Sequence, residues 1–143
     1  MKRTFTYPFT PTRVIDGDTV EGYADMGFYV KRLVSVRLID VNTPEKRGRE
    51  KVAGLVVRDF VTDWVIENKR NLELVSKEVD KFGRVLGDLV VVSVESDTPG
   101  FKVTTTNSLS VTLLNKKIAK PYKGGKRVPF TQKELDAIVK ELE

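Results

Sequence analysis

Residues 28–68, FYVKRLVSVRLIDVNTPEKRGREKVAGLVVRDFVTDWVIEN, change hydrophobic period partway along. In 28–41, Val34, Val36, Leu38 and Asp40 fall on one face and Leu33, Ser35, Arg37 and Ile39 on the other, the period of two that marks a strand. Asn42-Thr43-Pro44-Glu45 ends that pattern, and a basic loop runs through Arg49. From about Glu50 to Asn68 the period becomes helical. Val52, Val56, Phe60 and Trp64 form one i,i+4 row, and Ala53, Val57, Val61 and Val65 the next. Gly54 and the many β-branched residues lower intrinsic helix propensity, so this helix is expected to depend on burying its apolar face against a sheet.

Working outward, residues 13–15 and 19–24 are short β-prone runs divided by the turn signal Asp16-Gly17-Asp18. Residues 71–76 and 84–92 read as two further strands joined by a polar turn over 78–83. The stretch 93–106, rich in Ser, Thr, Asp, Pro and Gly, reads as a long connection. A helix is expected from residue 107 or 108 to 117. A final helix starts at Thr131, whose spacing to Glu134 is that of a capping box, with Leu135, Ile138, Val139 and Leu142 following on one face. Five strands without regular strand–helix alternation argue against a doubly wound parallel sheet. They predict an α+β fold, a five-stranded OB-type β-barrel with about three flanking helices.

The 143 residues fit one domain, 1–143, and the 40% apolar content can fill its core. The chain has no Cys and no His, which excludes disulfides, thiol nucleophiles, Zn–thiolate sites, imidazole acid–base chemistry and catalytic triads. Chemistry therefore falls to carboxylates, Arg, Lys, Tyr, hydroxyls or a bound metal. Thr4, Thr6, Pro8, Thr10 and Pro11 interrupt any signal-like apolar run, and no stretch approaches a membrane span, so a cytoplasmic protein without membrane contact is expected. The +5 formal charge is local. Residues 1–97 carry 16 basic and 16 acidic side chains, whereas 98–133 carry eight basic and none acidic. Six of those eight lie between Lys116 and Arg127, a surface loop whose Lys116, Lys117 and Lys120 are candidate phosphate contacts, or simply a solvated face.

Five polar residues stand out at strand ends and turns: Asp16, Asp18, Arg37, Glu45 and Arg84. Taken singly, each has an ordinary reading as a turn, a strand exit or a surface charge. Together, the ordered segments Val14-Ile15-Asp16-Gly17-Asp18-Thr19-Val20, Val36-Arg37-Leu38-Ile39 through Asn42-Thr43-Pro44-Glu45, and Asp80-Lys81-Phe82-Gly83-Arg84 closely resemble the thermonuclease family, the staphylococcal-nuclease-like domains. The similarity covers about residues 12–125, and it implies a five-stranded OB-type barrel with three helices. It also implies calcium-dependent cleavage of DNA and RNA phosphodiesters that leaves 3′-phosphate ends.

By that resemblance, Asp18 corresponds to a calcium-ligating aspartate, with Asp16 nearby as an outer acid, and Thr43 offers calcium its main-chain carbonyl. Glu45 corresponds to the carboxylate that positions or deprotonates water, and Arg37 and Arg84 to the arginines that hold the scissile phosphate. Lys81 and Tyr122 lie where the family contacts a terminal phosphate or base.

The chain departs from the family pattern in two places. Asn42 stands where the family usually has Asp, offering an amide oxygen without charge. Weaker metal binding is expected unless Asp40, two residues away on the same strand face, turns its carboxylate inward. Phe82 replaces a frequent Tyr, keeping the ring and losing the hydroxyl. The chain thus reads as a monomeric calcium-dependent nuclease or, alternatively, as a nucleic-acid-binding barrel that has lost turnover.

Overall fold

The computed structural model, which describes residues 5–98 and 101–143, closes five strands into a mixed barrel. Strand β1 (Phe5–Asp16) pairs with β2 (Thr19–Asp25) through Phe9–Asp16 and with β5 (Leu72–Val79) through Phe5–Pro8. Strand β2 continues to β3 (Lys31–Leu38), and β5 to β6 (Val85–Thr98), all antiparallel. Closure comes from the parallel pairing of Val36, Arg37 and Leu38 with Val85, Leu86 and Gly87. The strand called β4 (Val41–Asn42) makes a short separate ladder with β8 (Lys120–Pro121). This is the expected α+β OB-type barrel, flanked by α1 (Lys51–Asn68), α2 (Leu109–Asn115) and α3 (Gln132–Leu142).

Two expectations are corrected. The first strand is far longer than 13–15. Register shifts between Pro11 and Arg13 and between Val14 and Asp16 let one strand turn the barrel corner despite two prolines that lack an N–H donor. Within 93–106, residues 93–98 and 101–106 are strand rather than connection, and 99–100 lie outside the described residues. Strand β6 runs to Thr98 and pairs with β7 (Phe101–Ser108), from Val90 opposite Ser108 to Glu95 opposite Val103. Composition misleads there because Thr is β-branched and favours strands, and because a hairpin ladder satisfies the backbone whatever the polarity of its side chains.

Of the two apolar rows on α1, the one containing Ala53, Val57, Val61 and Val65 is buried against the barrel, with Trp64 at its edge, while Val52 stays exposed. Helix α2 begins after Ser108, whose hydroxyl accepts a hydrogen bond from the Val111 amide at 3.2 Å. It ends in a Schellman arrangement, with Ile118 N–H bonded to Leu113 O and Lys117 N–H to Leu114 O. Lys117 takes the left-handed position there at φ 60°. The capping box at α3 is as expected, with Thr131 Oγ1 accepting from Glu134 N and Glu134 Oε1 accepting from Thr131 N. Phe130, Leu135 and Ile138 join the same core as α1. Among the described residues, no helix is long and apolar enough to cross a membrane.

Candidate active site

A cleft of about 540 Å³ opens where the ends of β1, β2 and β3 meet the 78–84 turn and the segment after β8. Asp16, Asp18, Arg37, Asp40, Asn42, Thr43, Glu45, Arg84 and Tyr122 all line it. The three motifs separated in sequence therefore converge on one surface. Lys81, Phe82, Lys116, Lys117 and Lys120 are not among the lining residues.

Asp18 anchors the acidic side. Its Oδ1 accepts from Thr19 Oγ1 at 3.0 Å, and its Oδ2 accepts from the Thr43 amide at 3.2 Å and faces Arg37 Nη2 at 3.5 Å. The Asp18 carbonyl accepts from Leu38 N at 2.8 Å, so β2 and β3 are tied together where both enter the cleft. Asp16 stands 3.6 Å from Lys46 Nζ, which donates to Ile15 O at 2.7 Å.

Arg37 faces inward. Nη1 donates to Leu38 O at 2.6 Å and Val41 O at 2.8 Å, and Nη2 donates to Asn42 Oδ1 at 2.6 Å. The guanidinium thus straps the β3–β4 turn, where Asp40 sits at φ 65°, a left-handed conformation that Asp tolerates better than most residues. Asp40 O accepts from Tyr122 N at 2.8 Å, its carboxylate lies 3.7 Å from Lys123 Nζ, and Tyr122 Oη donates to Gly125 O at 2.7 Å.

Arg84 is oriented by its own turn. Asp80 accepts from Phe82 N and Arg84 N, each at 2.9 Å, and from Arg84 Nε at 2.8 Å. Burial pushes the Asp80 carboxyl up, but the bonds from the Arg84 main chain and side chain and from Phe82 N outweigh it and hold the group below its ordinary range. The exposed Phe82 ring carries Lys81 Nζ at 5.3 Å and the Arg84 guanidinium at 5.6 Å from its centroid.

Sequence reading missed Glu50 and Arg127. Glu50, 6% exposed, accepts at Oε1 from Glu45 N (2.9 Å) and Arg127 Nη2 (2.7 Å), and at Oε2 from Phe130 N (3.0 Å) and Arg127 Nη1 (3.4 Å). Burial raises its pKa, yet the Arg127 hydrogen bond, the two amides and the guanidinium charge together lower it to about 2. Arg127 in turn is pushed up by its Glu50 hydrogen bond against the opposing effect of burial. It also donates to Thr43 O at 3.2 Å and lies 3.5 Å from Glu45 Oε1. Gly54 completes the arrangement from α1, because a Cβ there would sit 2.1 Å from Glu45 O. Two lysines of the basic segment have partners within the fold. Lys120 pairs with Glu134 at 2.9 Å and lies over the Phe130 ring, and Lys116 lies over Phe60.

Among the described residues, no trio of acidic side chains is gathered closely enough to hold a metal ion by itself. The donors that fit a hard cation are the Asp18 and Asp16 carboxylates and the Thr43 carbonyl, which has a second lone pair beyond the one given to Arg127. The buried Thr43 Oγ1, 3% exposed at the residue, has no hydrogen-bond partner. Asn42 Oδ1 is engaged by Arg37. That set fits calcium only with water and phosphate oxygens completing a shell of six to eight.

No family model matches the sequence. The chain is 35% identical over 85 residues to Protein ParB of Escherichia coli, covering 55% of this chain and 39% of that protein. It is 31% identical over 101 residues to micrococcal nuclease of Shigella flexneri, covering 66% of this chain and 47% of that protein. The chain thus spans less than half the length of these curated relatives. The identity to micrococcal nuclease and the closed five-stranded barrel with its three helices together support assignment of the chain to a thermonuclease-like family.

Proposed function

We propose that this chain is a calcium-dependent nuclease that hydrolyses phosphodiester bonds of DNA or RNA and leaves 3′-phosphate ends. The observation that carries the reading is the convergence of Asp18, Arg37, Thr43, Glu45 and Arg84 on one open cleft. The similarity to a micrococcal nuclease supports it. In this reading Arg84, fixed by Asp80, meets a phosphate oxygen and stabilises the charge that grows as phosphorus becomes five-coordinate. Arg37 contributes its positive charge at the cleft while holding the β3–β4 turn. Glu45 orients a water in line with the leaving oxygen and takes its proton, a role that falls to a carboxylate in a chain without His. Asp18, Asp16 and the Thr43 carbonyl would hold calcium, which when bound polarises the phosphate and its attacking water.

The test is cleavage of single-stranded DNA and of RNA across a calcium titration, with chelator controls and analysis of product ends. Calcium-dependent cleavage with 3′-phosphate ends supports the reading; no cleavage over a range of calcium and pH refutes it. One observation favours a second reading, a nucleic-acid-binding barrel without turnover: the neutral Asn42 side chain is bonded to Arg37. It requires salt-dependent retention of nucleic acid without metal-dependent products, and equal retention by Glu45→Gln.

A further inference from the structure

We propose that Arg127 is a positioning residue for this reaction, held by buried Glu50 so that it fixes the Thr43 carbonyl and the Glu45 carboxylate at the cleft. The inference rests on the nuclease reading above. Arg127 lies 84 residues from Thr43 and 77 from Glu50 in sequence, on the segment that leads into α3, yet its guanidinium lines the cleft. It reaches three acceptors at once: Glu50 Oε1 at 2.7 Å, Thr43 O at 3.2 Å and Glu45 Oε1 at 3.5 Å. The same Glu50 oxygen that binds Arg127 also accepts the Glu45 amide. Both the main chain and the side chain of Glu45 are therefore braced by one ion pair.

A pair that served only to dock α3 would need no more than the Glu50–Phe130 amide bond and the bond that Arg49 donates to Phe130 O. The reach of Arg127 past Glu50 to Thr43 and Glu45 is what assigns it to the site. The planar guanidinium reaches them from two fixed nitrogens, Nη2 and Nε, a spread that the single nitrogen of an ammonium reproduces only in part.

The experiment compares the parent protein with Arg127→Gln, Arg127→Lys and the double variant Glu50→Gln/Arg127→Gln in steady-state cleavage of a single-stranded oligonucleotide, well below each melting temperature. The double variant leaves no buried charge unpaired, so it remains folded if the single Gln variant does not. Arg127→Gln and the double variant are expected to lower kcat by about 10- to 100-fold, as for a catalytic group displaced by a fraction of an ångström to an ångström, with KM within about twofold. Arg127→Lys should recover part of that loss. Parental kcat in a folded Gln variant, single or double, overturns the proposal and leaves Arg127 a structural residue. A raised KM at parental kcat also overturns it and makes Arg127 a phosphate contact. If the parent itself does not cleave, the nuclease reading falls and this inference with it, whereas an active parent with unaltered variants rejects the role of Arg127 alone.

Discussion

Replacing Gly54 with Ala separates helix stability from site geometry. In most helix interiors the exchange gains about 1 kcal/mol, because Ala has less backbone freedom to lose. Here an added Cβ would stand 2.1 Å from Glu45 O, 2.5 Å from Glu45 C and 2.8 Å from Lys46 Cα. These neighbours are backbone, so no side chain can swing aside. Opening the shortest contact to 3.0 Å requires α1 and the 45–46 segment to part by about 0.9 Å. Displacement of the loop by that amount stretches the 2.9 Å Glu45 N–Glu50 bond beyond hydrogen-bonding range. Overpacking of this kind costs about 1–3 kcal/mol, which the propensity gain partly offsets, so the net loss of stability is about 0–2 kcal/mol. A shift of about 1 Å in a catalytic group, by contrast, costs on the order of 10²-fold in rate. The expected pattern for Gly54→Ala is thus a small change in urea midpoint beside a large fall in single-turnover cleavage of DNA. A variant that is more stable than the parent and cleaves at the parental rate would refute the reasoning.

Glu50 makes an acid-stability prediction. Its folded pKa of about 2 lies below the ordinary 4.5, so its stabilisation is complete above the ordinary value and is lost as pH falls through the folded one. The shift corresponds to roughly 3 kcal/mol, and Glu50→Gln should flatten the acid limb of a stability–pH curve by about that much; parallel curves for parent and variant would contradict it. Arg84→Ala should lower turnover on the order of 10²-fold or more, as when one transition-state donor is removed, and near-parental turnover would remove Arg84 from the site. Lys117→Ala should weaken nucleic-acid binding at every sequence and reduce its salt slope by about one, measured by titration at several salt concentrations. Lys120→Ala, which loses the contacts to Glu134 and Phe130, should change the melting temperature instead.

What was legible in the sequence follows from the range of the interactions involved. The α1 rows and the Thr131–Glu134 capping box are patterns of neighbours along the chain, and both helices lie where the spacing places them. Asp16, Asp18, Arg37, Glu45 and Arg84 sit at strand ends and in the turns and loop beside them, which the barrel closure gathers, so three ordered motifs along the chain meet at one cleft. The Thr- and Ser-rich arm of the β6–β7 hairpin was hidden because its partner, not its own composition, makes it a strand. The pairing of Lys120 with Glu134 is not legible, because charge in a sequence carries no sign of a partner 14 residues further on. Arg127 was counted within a basic stretch, and nothing local tells a solvated cation from one that crosses 84 residues to reach Thr43. A buried acid at the start of α1 was the available clue, since Glu50 among apolar helix positions requires a cation from elsewhere.

The brace from Arg127 also sets an order of events during synthesis. A ribosome-bound chain that has produced every motif through Arg84, and even the β8 segment, still lacks the guanidinium that holds Glu45 and Thr43. Until the segment entering α3 emerges and docks, Thr43 and Glu45 lack the guanidinium that braces them. On the proposed reading, a fragment that stops ahead of residue 127 would keep Asp18, Arg37 and Arg84 at the cleft yet cleave nucleic acid less efficiently than a chain that includes Arg127.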